Sequence, residues 1–335
     1  MMHMTAKPER APLLSIRGLG ISFPSIYGRV EAVRGLDLDV GEGEIVGLVG
    51  ESGSGKSLTS LAVMGLVAQP GRVEAGEIRL AGRDIVGLSP KELREMRGRD
   101  VSMVFQEPLT ALNPAFPIGR QLTDVILTHR PVSRAEAREI AVQALTDVGI
   151  REPRERLGAY PHEFSGGMRQ RVLIATAIAC EPKLLIADEP TTALDVTVQA
   201  QIIDLLRRLQ AERGLSILLI SHNLHLVSEL CERVVVMYGG QVMESGSAEE
   251  LFLRPRHPYS RLLQDCVPSL DNPRNSRLAA IPGAAPSPGE ISAGCPFAPR
   301  CARATDRCTQ EMPPLAQAGA HKVACWHPLS EAVAC

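Results

Sequence analysis

Apolar and polar residues alternate through residues 13–50 and again through 75–105, interrupted at Gly28-Arg29, Gly41-Glu42-Gly43, Gly76, Gly82 and Gly87. Period-two alternation broken by glycine predicts strands joined by turns. Pro90 to Arg97 reads as a short helix within the second stretch. Over 118–150 the period becomes helical, with Ile118, Leu122, Val125 and Ile126 on one face and then Ala135–Val148 behind Ser133, a predicted N-cap. Beyond 165 the pattern predicts helix, strand, helix, strand at Met168–Cys180, Leu184–Ala187, Val196–Arg213 and Ser216–Ile220. Such alternation implies a parallel sheet with crossover helices. A β-rich piece, Val234–Gly246, closes this unit.

From about residue 250 the chain turns to Pro, Ala, Arg and Cys, including IPGAAPSPGE at 281–290. A boundary near 247 therefore separates an α/β unit, 13–247, from an extension, 248–335. At 335 residues, a formal net charge of −2 and 44% hydrophobic content, the composition is that of a soluble globular protein of about two domains. No basic excess points to nucleic acid. The segment MMHMTAKPERAP lacks the apolar core of a signal peptide, and no window approaches the ~18–20 apolar residues of a membrane helix. The chain is therefore expected in the cytosol, or on a membrane only by docking to another protein.

Residues 50–57 read GESGSGKS, a complete G-x-x-x-x-G-K-S phosphate-binding loop. It follows the strand-like run Glu44–Val49 and precedes the helical pattern Leu58-Leu61-Ala62-Met64-Leu66. Backbone N–H groups from Gly50 through Leu58, including Glu51, Ser52, Gly53, Ser54 and Gly55, can cradle phosphates at a helix N-terminus. Lys56 can reach the terminal phosphates, and the Ser57 hydroxyl can ligate Mg2+. The apolar strand Leu184–Ala187 ends in Asp188 and Glu189. There Asp188 can hold Mg2+ with Ser57, and Glu189 can polarise the attacking water. Ser165-Gly166-Gly167-Met168 opens the next helix and offers a second anion site, which one nucleotide in one chain cannot easily share with the first.

The set as a whole resembles the ATPase subunits of ATP-binding cassette (ABC) transporters. The resemblance implies an α/β fold: a P-loop NTPase core with an antiparallel β subdomain, a helical insert at about 107–164 and a small Cys-rich C-terminal extension. It also implies a head-to-tail dimer sandwiching two ATPs, with Ser165, Gly166, Gly167, Met168 and Asp195 acting on the partner's ATP. Gln106 matches the glutamine that touches Mg2+ or the attacking water, and His222 the histidine that contacts the γ-phosphate. Tyr27 matches the aromatic that stacks on adenine, with Phe23 as competitor. Two departures stand out: Phe-Ser-Gly-Gly-Met replaces Leu-Ser-Gly-Gly-Gln, and Thr192 replaces a serine. Neither removes a phosphate-facing backbone group.

Residues 254–268, RPRHPYSRLLQDCVP, and the insert opening Glu107–Pro114 resemble the oligopeptide and dipeptide importer branch. That branch implies a second, paralogous ATPase, two transmembrane permease subunits, an extracytoplasmic solute-binding protein, no nucleic acid, and a place on the cytoplasmic face of the inner membrane. Nickel or another small solute is the alternative cargo, and a non-transport cytosolic ABC ATPase the remote one. Cys295, Cys301, Cys308 and Cys325 follow C-x5-C-x6-C-x16-C, with Cys335 last. Close pairs typical of zinc sites are missing, and a [4Fe–4S] cluster of the kind some members of the branch carry is the favoured expectation. Zinc, with His321 or His327 as further ligands, and free thiols stay open. Cys180 and Cys231, in apolar segments, read as core residues.

Overall fold

The computed structural model describes residues 12–26, 28–192, 194–267, 280–287, 289, 293–319 and 321–330. The first alternating stretch forms β1 (Pro12–Ser25), β2 (Gly28–Gly41) and β3 (Ile45–Val49). The second forms β4 (Arg72–Leu80), β5 (Arg83–Asp84) and β6 (Val101–Val104). The later α/β stretch supplies β7 (Leu184–Asp188), β8 (Ser216–Ser221), β9 (Arg233–Tyr238) and β10 (Gln241–Ser247). The tail adds β11 (Ala316–Ala318) and β12 (His321–Val323). One sheet is antiparallel, in the order β2-β1-β4-β5; the larger runs β11-β12-β10-β9-β3-β8-β7-β6. Strands β6, β7, β8, β3 and β9 are parallel, as the alternation predicts.

All residues of β3, β7 and β8 are buried. Val46 and Leu48 of β3, with Leu218 and Ile220 of β8, join the core shared with the antiparallel sheet. Ile45, Val49, Ile217 and Leu219 face the helices instead. A strand covered on both faces is apolar through its middle, hence the runs Leu184–Ala187 and Ile217–Ile220, with Asp188, Ser216 and Ser221 only at strand ends. At about 1.5–3 kcal/mol per buried Val, Leu or Ile, this double burial fixes where the strand ends lie.

The insert packs the helix Ile118–His129 on Arg134–Asp147, with Ile118, Leu122 and Ile126 sharing a core with Ala137, Ala141 and Leu145. Ser133 caps the second helix as expected: its hydroxyl accepts from Glu136 N–H, and the Glu136 carboxylate accepts from Ser133 N–H. Among the described residues no helix is long and apolar enough to cross a membrane.

The tail is more regular than its composition predicts. β12 lies antiparallel to β10, pairing Val323 with Glu244 and Lys322 with Ser245, so it extends the ATPase sheet. His257, Pro258 and Tyr259 start the helix Pro258–Asp265. The His257 ring accepts from Tyr259 N–H at 3.0 Å, and Pro258 takes the first helical position, where a missing N–H costs nothing. Tyr259 is thereby driven inward, and it meets Tyr238 and Phe297 at ring-centre distances of 4.6 and 5.2 Å.

Candidate active site

β3 feeds the phosphate loop, whose path depends on glycine. Gly50 has φ 151°, and a Cβ there would lie 2.1 Å from the Met237 carbonyl oxygen. Gly55, at φ 100°, turns directly into the helix Lys56–Val63. The Lys56 ammonium lies folded over the loop, donating to the Gly50 and Glu51 carbonyls at 2.8 and 2.9 Å and to the Ser54 hydroxyl at 3.3 Å. Burial lowers its pKa, opposed by the nearby Glu189, Asp188 and Glu51 charges. It is a poorly solvated cation at the head of a helix, suited to a phosphate oxygen.

β7 carries Asp188 to the same place. The Ser57 hydroxyl donates to Asp188 Oδ1 at 3.3 Å. Burial raises the Asp188 pKa, partly offset by that hydrogen bond. A buried carboxylate beside a hydroxyl is the hard oxygen donor set that Mg2+ takes next to bound phosphates, so these residues fit the ion.

Glu189 follows in an unusual backbone. Its φ is 48°, and its N–H donates to the Ile220 carbonyl at 2.9 Å, which turns the side chain off the end of β7. Three elements converge on its carboxylate. Gln106, beyond β6, donates to Oε2 at 2.9 Å, and His222 Nδ1, beyond β8, stands 3.2 Å from Oε1. The Thr192 hydroxyl also donates to Oε2, at 2.9 Å. In the sequence Thr192 was visible only as a departure from the family's serine. A carboxylate aimed from three sides can hold one water in line with a phosphorus atom.

Ser165 N-caps the helix Gly166–Ile178 through Met168 N–H, and Asp195 N-caps Val196–Arg213 through Val198 N–H. The two starts are packed together, since a Cβ on Gly167 would lie 2.5 Å from a Val198 methyl. Among the described residues no hydrogen bond joins Ser165, Gly166, Gly167, Met168 or Asp195 to this chain's own phosphate loop. Tyr27 lies outside the described residues.

Cys295, Cys301, Cys308 and Cys325 line one cavity, together with His257, Trp326 and His327. Every pair among the four is close enough to interact electrostatically. The Cys325 sulfur accepts the backbone N–H of His327 at 3.4 Å. A side chain on Gly294 is excluded, because its Cβ would lie 2.3 Å from the Cys308 carbonyl oxygen. Burial pushes the Cys295 thiol up to about 11 and raises Cys301 and Cys325 too. Among the described residues no group of three or more His, Cys, Asp or Glu side chains is set to hold a metal ion. Cys180 and Cys231 are buried as expected, and burial raises both thiol pKa values. Cys335 lies outside the described residues.

Comparison with known proteins agrees with this geometry. Residues 33–192 match the ABC transporter family, and residues 243–308 match the oligopeptide/dipeptide transporter C-terminal region. The dipeptide transport ATP-binding protein DppD of Escherichia coli is 46% identical over 96% of this chain and 98% of its own length. DppD of Haemophilus influenzae is 45% identical, covering 95% of this chain and 96% of its own. The dimeric, post-hydrolysis structure of the ATP-binding cassette MJ0796 with ADP and Pi superposes at a TM-score of 0.63 with 26% identity, over 70% of this chain and 98% of that one. With its phosphate loop, paired carboxylates and Ser-Gly-Gly helix in this arrangement, the chain belongs to the ABC transporter family, as an ATPase bearing the oligopeptide/dipeptide C-terminal region.

Proposed function

We propose that this chain energises import of di- or oligopeptides. It works at the cytoplasmic face of the inner membrane in an ATP-sandwich dimer with a second, paralogous ATPase. Two permease subunits carry the peptide, and an extracytoplasmic binding protein selects it. The observation that carries this reading is the unbroken match to peptide-transport ATP-binding proteins through both the ATPase core and the tail.

In the proposed cycle Lys56 and the loop amides hold the ATP phosphates, and Ser57 and Asp188 would hold Mg2+. That ion neutralises phosphate charge when bound. Glu189, oriented by Gln106, Thr192 and His222, positions the attacking water and takes its proton. Ser165–Met168 and Asp195 face the partner's ATP, in keeping with the absence, among the described residues, of hydrogen bonds from them to this chain's phosphate loop. Reconstituted with its permeases and binding protein, the complex is expected to raise ATP turnover when di- or tripeptides are added. Turnover indifferent to peptides would remove the peptide assignment.

We propose that the tail thiols close around a [4Fe–4S] cluster as it is inserted, since among the described residues they form no ready-made metal site. Supporting this are their common cavity and the His327 N–H donated to the Cys325 sulfur, which stabilises a thiolate ligand. Anaerobically purified protein is expected to contain about four irons and four acid-labile sulfides per chain. Zinc alone would replace the cluster by zinc, and neither metal would leave the thiols free.

A further inference from the structure

The phosphate loop is also gripped from the side away from the catalytic carboxylates. Arg300 ends the 3-10 turn Ala298–Arg300, and its side chain is 7% exposed. Its Nη1 donates to Glu51 Oε2 at 2.6 Å and its Nη2 to Oε1 at 3.3 Å, a two-pronged pair with a residue of the loop itself. The remaining donors are used as well. Nη1 reaches the Tyr238 hydroxyl at 2.9 Å, Nη2 the Ile281 carbonyl at 3.2 Å and Nε the Pro282 carbonyl at 2.7 Å. With every N–H of the fork occupied, the guanidinium has one orientation open to it. The Tyr259 hydroxyl, also from the extension, accepts from Glu51 N–H at 2.9 Å. Main chain and side chain of Glu51 are thus both held by residues beyond 247.

Glu51 is an awkward residue for its position. Its carboxylate stands in a loop built for a polyanion, close enough to Lys56 to oppose, with Glu189 and Asp188, the lowering of that ammonium's pKa by burial. Left unpaired, it would repel incoming phosphates and compete with them for Lys56. Solvent screens little where the Arg300 fork is buried, so pairing there removes most of the negative charge that phosphate would meet.

We propose that Arg300 is a positioning residue for ATP: its pair with Glu51 cancels the loop's own negative charge and fixes the loop for the triphosphate. ATP affinity in this ATPase then depends on its C-terminal extension. The inference concerns MgATP affinity and holds whatever solute is carried and whatever the tail thiols bind.

The test is MgATP binding by the full-length chain, with KM and kcat from steady-state hydrolysis. Arg300→Met is expected to weaken binding and raise KM roughly tenfold, the scale of one charge-assisted pair, with kcat little changed. Arg300→Lys should recover part of the loss. The deciding variant is Arg300→Met with Glu51→Gln, which should regain most of the lost affinity because no charge is left to cancel. Wild-type affinity in Arg300→Met overturns the proposal, and so does a loss that Glu51→Gln fails to repair. Should Arg300→Met not fold, Arg300→Lys with and without Glu51→Gln decides in the same way.

Discussion

Two regions meet at the phosphate loop, and they are built differently. On the side proposed as catalytic Gln106 and His222 reach Glu189 from loops beyond β6 and β8, and the His222 side chain is 62% exposed. On the tail side Tyr238, Tyr259 and Phe297 are fully buried, and Arg300 is locked among them and Glu51. The first region is a set of polar groups at strand ends, held by single hydrogen bonds and exposed at His222. The second is a packed aromatic core with a charge pair inside it. In the proposed dimer a second subunit would complete the hydrolytic centre, which therefore has to be open on one side. The loop it acts on must nevertheless stay in place, and here the extension supplies the rigid side.

Substitutions on each side sharpen this contrast. Glu189→Gln should lower steady-state ATP turnover by about a thousandfold, as expected for loss of a general base, with MgATP binding retained. Normal hydrolysis would break the assignment of the catalytic side. Phe297→Ala should lower unfolding stability by about 3 kcal/mol in denaturant titration, because a buried ring is deleted from a packed cluster. A loss below about 1 kcal/mol would show the tail core to be loose. His257 is pushed down to about 3 by burial, so the folded state favours its neutral form. This contribution is fully present above about pH 6.5, the unfolded value, and is lost as pH falls toward the folded value. Thermal melts should therefore weaken between pH 6.5 and 4 by up to about 1.4 kcal/mol per pH unit from this group, and His257→Gln should flatten the slope. Smallest is Thr192→Val, expected to lower kcat several-fold through loss of one hydrogen bond to Glu189, with MgATP affinity kept. Weakened binding instead would make Thr192 a loop residue rather than an aligner of the base.

The same contrast sets what could be read from the chain. Lys56, Ser57, Asp188 and Glu189 stand in short contiguous motifs, because a strand end delivers its residues to the sheet edge whatever the rest of the chain does. Gln106 and His222 needed the family resemblance to single them out, and Thr192 was visible only as a departure from it. Arg300 and Tyr259 escaped because their partner, Glu51, lies 249 and 208 residues away, and no periodicity carries such a pairing. β11 and β12 escaped for another reason. At three residues each they have no pattern of their own and exist by pairing with each other and with β10.

That pairing has a further consequence. Without β12, β10 would end the larger sheet on that side and present a row of unpaired N–H and C=O groups, the usual template for strand-to-strand association between molecules. With it, the edge passes to β11, a strand too short to serve as a template. The carboxylate of Glu244 in β10 is likewise covered, accepting from Arg256 N–H and His257 N–H and standing 2.8 Å from His321 Nδ1. A chain cut after Ser247 would retain every catalytic motif yet carry an open sheet edge, so shortening it toward a minimal ATPase should favour aggregation over a well-behaved enzyme.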